Sequence, residues 1–128
     1  MKKIVFLLLL SGTLAAQPFT KDEIDRWQKQ STRVTIIRDQ WGIPHIYGKT
    51  DADAVFGFLY AQCEDDFDRV ELNYINAVAR LAEVEGESKL YQDLRMRLFY
   101  DSAQAIVLYN QSPDWLRKLC NAFADGVN

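Results

Sequence analysis

A chain of 128 residues with 48% hydrophobic and 26% charged side chains has the composition of a globular protein and the length of one small domain. Its formal charge of −3 argues against a nucleic-acid partner, which needs a basic face. One histidine, His45, and two cysteines, Cys63 and Cys120, leave no histidine pair for zinc and no useful Cys-His spacing.

Lys2 and Lys3 precede seven apolar residues, Ile4 to Leu10, and Leu14-Ala15-Ala16 offers small residues for cleavage. This is the pattern of a secretory signal peptide over residues 1–16, and its apolar core is far short of the ~18 residues of a membrane span. The expected location is periplasmic or secreted, with no membrane span and, lacking a cysteine after the apolar run, no lipid anchor there. Cleavage after Ala16 exposes Gln17 and cleavage after Ala15 exposes Ala16, neither of them a nucleophile. Residues 17–128 then carry thirteen basic and eighteen acidic side chains, a formal charge of −5. In an oxidising compartment Cys63 and Cys120 either pair or remain free on apolar helix faces, and sequence gives no separation between them.

Thr20-Lys21-Asp22-Glu23 has the form of a capping box and predicts a short helix to about Gln30. Val34 to Ile37 reads as a strand, and Ile43, Ile46 and Tyr47 mark a second. Asp39-Gln40-Trp41-Gly42 breaks them, with Gly42 free to turn the chain into a hairpin. Pro44 suits a strand start or an edge. A lone hairpin is marginal in water, so this one needs a sheet to join.

Thr50 caps the next predicted helix, with Asp51 and Asp53 in its first turn and a buried stripe through Ala52, Val55, Phe56, Leu59, Tyr60 and Cys63. Gly57 within that stripe points to close packing against another backbone, the hairpin being the candidate. Glu64 to Glu71 holds five carboxylates in eight positions. The run lacks EF-hand spacing and a turn glycine, so a solvated helix face or junction is favoured over a calcium site, with Asp65 and Arg69 placed to pair at i, i+4. Val70 to Val84 continues as a helical stripe to Gly86, a C-cap, and Ser88 to about Asn110 carries a less regular one. Ser112-Pro113 restarts a helix through Leu116, Cys120 and Phe123, which Gly126 would end.

The predicted fold class is therefore α+β, mostly helical, with one hairpin and about four or five helices. Catalytic signals are absent: there is no G-x-S-x-G element, no glycine-rich phosphate loop, and His45 reads as a packed strand residue. On residue types and spacing alone the function stays unnamed.

Arg38-Asp39-x-x-Gly42-Ile43-Pro44-His45-Ile46, followed by Asp53-Ala54-x-x-Gly57-x-x-x-Ala61-Gln62, resembles the opening of the penicillin acylase (penicillin amidase) family of N-terminal nucleophile hydrolases. Leu81-Ala82-Glu83-x-x-Gly86, Asp93-x-x-x-Arg97 and Ala124-Asp125-Gly126-Val127-Asn128 extend the likeness in the order of that family's α-subunit. The resemblance implies a four-layer αββα fold built from two subunits of one precursor, and hydrolysis of a linear amide between an acyl chain and an amine. It implies a new β-subunit N-terminal serine, cysteine or threonine as nucleophile, its α-amine as base, and backbone and amide donors to the oxyanion.

In the family the nucleophile, the oxyanion donors, the helix lining the acyl pocket and the calcium ligands lie beyond the position of Asn128. Residues 17–128 are thus expected to be an incomplete N-terminal segment of an α-subunit, with no catalytic, cofactor or metal residue of its own and calcium only in the full-length protein. The expected partners are the rest of the precursor, as a heterodimer, and an acylated small molecule. The resemblance assigns scaffold roles to Arg38, Asp39, Gly42, Pro44 and His45 in the hairpin and to Gly57, Ala61 and Asp65 in its packed helix. Ala61-Gln62-Cys63-Glu64-Asp65-Asp66, in place of the Ala-Gln-Asp-Arg of the penicillin-type branch, is closer to the branch acting on lipopeptides and acyl-homoserine lactones. The alternative is a small exported helical binding or scaffold protein without catalysis.

Overall fold

The computed structural model describes residues 19–128, so the leader assigned to residues 1–16 lies outside the described residues. Helix α1 spans Lys21–Ser31 and starts on the capping box: Glu23 N donates to Thr20 Oγ1 at 3.3 Å while Thr20 N donates to Glu23 Oε2 at 2.8 Å. Strands β1 (Val34–Arg38) and β2 (Pro44–Gly48) pair antiparallel, with Ile36 opposite Ile46 and Arg38 opposite Pro44. Alternation turns Val34, Ile36, Pro44 and Ile46 toward the next helix and leaves Thr35, Ile37, His45 and Tyr47 exposed on the other face. His45, expected to pack, is exposed because its parity in the strand places it on the uncovered face.

Helix α2 runs Asp51–Ala77 and is the element against which the rest is laid. Gly57 sits where β1 and β2 cross it: a Cβ there would come within 2.5 Å of Val34 Cγ1 and 2.9 Å of Ile46 Cγ2. At Asp66 the helix is broken by a non-helical φ of −159° and ψ of 73°. Asp66 Oδ1 accepts from Arg69 N at 3.2 Å and so caps the second half of the helix.

The stripe expected to run from Val70 to Gly86 is not one helix. The chain leaves α2 after Ala77, turns through Ala79 at φ +59°, and re-enters a short helix α3 (Ala82–Glu85) that Gly86 ends at φ +88°. The turn is held because Ala79 and Leu81 are buried. A 3₁₀ turn over Glu87–Lys89 leads into α4 (Leu90–Arg97). The helix expected from Ser88 to Asn110 is likewise two, since Asp101 starts α5 (Ser102–Gln111) by accepting from Ala103 N at 2.9 Å.

Helix α6 (Asp114–Val127) follows Pro113 at its cap position. Ser112, expected to cap it, instead turns back and donates to the Leu108 carbonyl at 2.7 Å. Gly126 does not end α6. It lies against α2, where a Cβ would meet the Phe56 carbonyl oxygen at 2.6 Å. This close approach of two helix backbones forms the small core of Phe56, Leu59, Ala61 and Ala122; Ala79 and Leu81 are buried after the far end of α2. Cys63 and Cys120 are both free thiols, Cys63 half-buried and Cys120 exposed. Burial pushes the Cys63 thiol up.

Candidate functional site

The polar groups the sequence singled out converge at the tip of the hairpin, where it meets the last turn of α2 before the Asp66 break. Asp39 builds the turn: its Oδ1 accepts from Trp41 N at 2.9 Å and Ile43 N at 3.0 Å, and Gly42 takes φ +81°. His45 Nε2 lies 3.4 Å from Asp39 Oδ2 in the turn. Partial burial alone raises the Asp39 carboxyl, but the amides of Ile43 and Trp41 and the His45 ring outweigh it and hold it below the ordinary aspartate value.

Arg38 joins this turn to α2. Its Nη1 donates to the Gly42 carbonyl at 3.0 Å and its Nη2 reaches Glu64 Oε2 at 2.8 Å and Asp65 Oδ1 at 2.9 Å. Those two carboxylates, Glu64 first, raise the already high Arg38 pKa. Asp65 is therefore not the i, i+4 partner of Arg69. Arg69 Nε pairs with Asp66 Oδ2 at 2.9 Å, because the break at Asp66 turns Asp65 toward the hairpin. The acidic run is divided among three tasks: Glu64 and Asp65 bind Arg38, Asp66 caps and pairs with Arg69, and Asp68 and Glu71 are exposed. Pro44 faces α2 at the start of β2, Ala61 is fully buried one turn before Asp65, and Gly57 lies under the strands.

Such an arrangement locks a hairpin onto a helix. No serine, threonine or cysteine is hydrogen-bonded to His45 among the described residues, and none of their acidic, histidine and cysteine side chains gather in threes as a metal ion would require.

Three carboxylates that carry comparable weight were not singled out as site residues. Asp53, fully buried, accepts from Thr50 Oγ1 at 2.8 Å, and its Oδ1 is 2.8 Å from Arg33 Nη2. The guanidinium approaches off the hydrogen-bond axis, so that oxygen has a compensating charge without a directed donor. Thr50-x-x-Asp53 is a shortened capping box and was the available signal. Asp93, 6% exposed, accepts from Leu81 N at 2.9 Å and Ala82 N at 2.7 Å, pinning the turn after α2 to α4. Asp125 accepts from Trp27 Nε1 and Arg26 Nη2, both at 2.8 Å, and ties α6 to α1. A cleft lined by Trp27, Val34, Ile36, Phe56 and Tyr60 opens beside that tie.

The penicillin amidase family model matches residues 33–128, from the Asp53 partner Arg33 through the hairpin, α2 and α6. The chain belongs to the penicillin amidase family. Among curated relatives it is 26% identical over 103 residues to penicillin G acylase of Escherichia coli, covering 79% of this chain and 12% of that protein. It is 32% identical over 95 residues to acyl-homoserine lactone acylase QuiP of Pseudomonas fluorescens strain Pf0-1, covering 74% and 12%. With penicillin acylase 2 proenzyme of Pseudomonas sp. strain SE83 it shares 39% identity over 69 residues. The solved thermostable penicillin G acylase of Alcaligenes faecalis superposes with a TM-score of 0.66 at 22% identity, over 74% of this chain and 51% of that one. The helices and hairpin are thus part of the N-terminal nucleophile hydrolase fold. The penicillin amidase segment spans about an eighth of the length of the curated relatives it matches.

Proposed function

We propose that residues 17–128 are the opening segment of the α-subunit of an exported linear-amide hydrolase, and that this segment is scaffold while the nucleophile comes from elsewhere in the protein. The observation that carries the reading is the hairpin. One face is clamped to α2 by Arg38, Glu64 and Asp65, and the other exposes Ile37, His45 and Tyr47 with only two strands paired among the described residues. Two strands alone are marginal in water, so the open face and edges need strands from the rest of the precursor.

Two coverages support a processed precursor. The segment is 12% of the curated relatives yet the same region is 51% of the solved penicillin G acylase chain, so that chain is far shorter than the curated proteins. One relative is itself named a proenzyme. Residues 1–16 serve as the leader that brings the precursor to the periplasm or beyond, and calcium belongs to the full-length protein. The substrate is an amide joining an acyl chain to an amine; the Ala61-Gln62-Cys63-Glu64-Asp65-Asp66 sequence favours a fatty acyl group.

The test is to read the coding sequence past codon 128 and to assay the complete protein and residues 17–128 on a long-chain N-acyl homoserine lactone and on penicillin G. The complete protein is expected to release the amine, from the lactone in preference, and residues 17–128 to release none. Hydrolysis by residues 17–128 alone would sink the scaffold role. A stop codon directly after Asn128, together with cooperative unfolding of a monomer, would leave the small exported binding protein as the better reading.

A further inference from the structure

Helix α5 differs from every other helix among the described residues. From Ser102 to Pro113 there is no charged side chain, and all ten residues of the helix are exposed, including Ile106 at 63%, Leu108 at 57% and Val107 at 50%. Its apolar residues at 105 to 109 are consecutive and therefore point around the whole circumference, leaving no face for water. Only its ends are tied down: Asp101 caps the start, and at the far end Tyr109 Oη donates to Asn121 Oδ1 at 2.7 Å and Arg117 Nη1 to the Asn110 carbonyl at 3.3 Å. Helix α4 and its exit leave further apolar residues uncovered, Leu94, Leu98 and Phe99, at 52%, 80% and 82% exposure.

A helix that is apolar all round is buried in protein or in lipid. Lipid is excluded by length: ten residues rise about 15 Å, half the ~30 Å hydrocarbon core. A second copy of this chain would offer one flat contact and cover one side of α5. Enclosure needs several elements, and the relatives contain about eight times as much chain as this segment does. We infer that α5 is a central helix of the complete protein, enclosed on its free sides by an uncharged, apolar surface of the remaining precursor. The inference rests on the proposed precursor and adds where the two parts meet.

Hydrogen exchange reads this without relying on activity. In residues 17–128 the amides of residues 104–109 belong to an unpacked ten-residue helix and exchange within about tenfold of an unstructured chain. In the complete precursor the same amides are expected to slow by at least 100-fold. Ile106→Asp should abolish soluble complete protein, and Ile106→Val should spare it. Fast exchange at 104–109 in the complete protein, or full solubility of its Ile106→Asp form, overturns the inference even if the protein hydrolyses amides. Protection of α5 in residues 17–128 through self-association overturns it in favour of a second copy. A complete protein that protects α5 but hydrolyses no acyl amide keeps the inference and removes the enzymatic reading.

Discussion

Asp93 and Gly126 show how much of this small fold rests on single atoms. The two oxygens of Asp93 are the acceptors for Leu81 N and Ala82 N, amides at the start of a four-residue helix too short to satisfy its own donors. Asp93→Ala removes both acceptors at a buried position and is expected to lower unfolding free energy by about 2–3 kcal/mol in urea titrations. Asp93→Asn keeps one acceptor and should recover about half of that. At Gly126 the obstacle to a side chain is a backbone carbonyl of α2, which cannot rotate aside. Gly126→Ala gains about 1 kcal/mol of helix propensity but is overpacked by about 3, a net loss near 2 kcal/mol by the same measurement. Neither residue declares its role in sequence: Asp93 enters only through the Asp93-x-x-x-Arg97 spacing, and Gly126 reads as a helix terminator, because both roles are set by partners more than ten residues away.

The elements themselves were largely legible. Capping at Thr20 and Thr50, the β-branched run of β1, the Asp39 to Gly42 turn and Gly86 are local signals, and local signals decide where helices and strands begin. The breaks at Asp66, at Ala79 and at Asp101 were not, since no glycine or proline marks them. Tertiary burial of Ala79 and Leu81, and side-chain capping by Asp66 and Asp101, interrupt an otherwise continuous apolar stripe. The hairpin turn also carries a dependence on pH. Asp39 is held below its ordinary value, so the folded state favours its ionised form. Its contribution is complete above the unfolded value of about 4 and disappears as pH falls through the lower folded value. Asp39→Asn should therefore flatten the acid side of a plot of thermal midpoint against pH while leaving the slope between pH 5 and 8 unchanged.

At the scale of the molecule, the residues singled out in the hairpin and its helix come together for a structural reason. Arg38, Asp39, His45 and Asp65 lie close together in the chain or across one helix, so their association follows from a hairpin docking on α2. The ties between α1 and α6 could not be read the same way. Arg26 and Trp27 meet Asp125 across 99 and 98 residues of chain, and Gly126 closes on Phe56. The lock on α1 is therefore made by α6, about a hundred residues further along the chain. At the 5–20 residues per second of protein synthesis, α1 waits about 5–20 s for Asp125 and the first half of α2 about 4–14 s for Gly126. During that interval the nascent segment is open to whatever binds an unlocked chain, and the order of synthesis keeps it pliable until nearly all of it has been made.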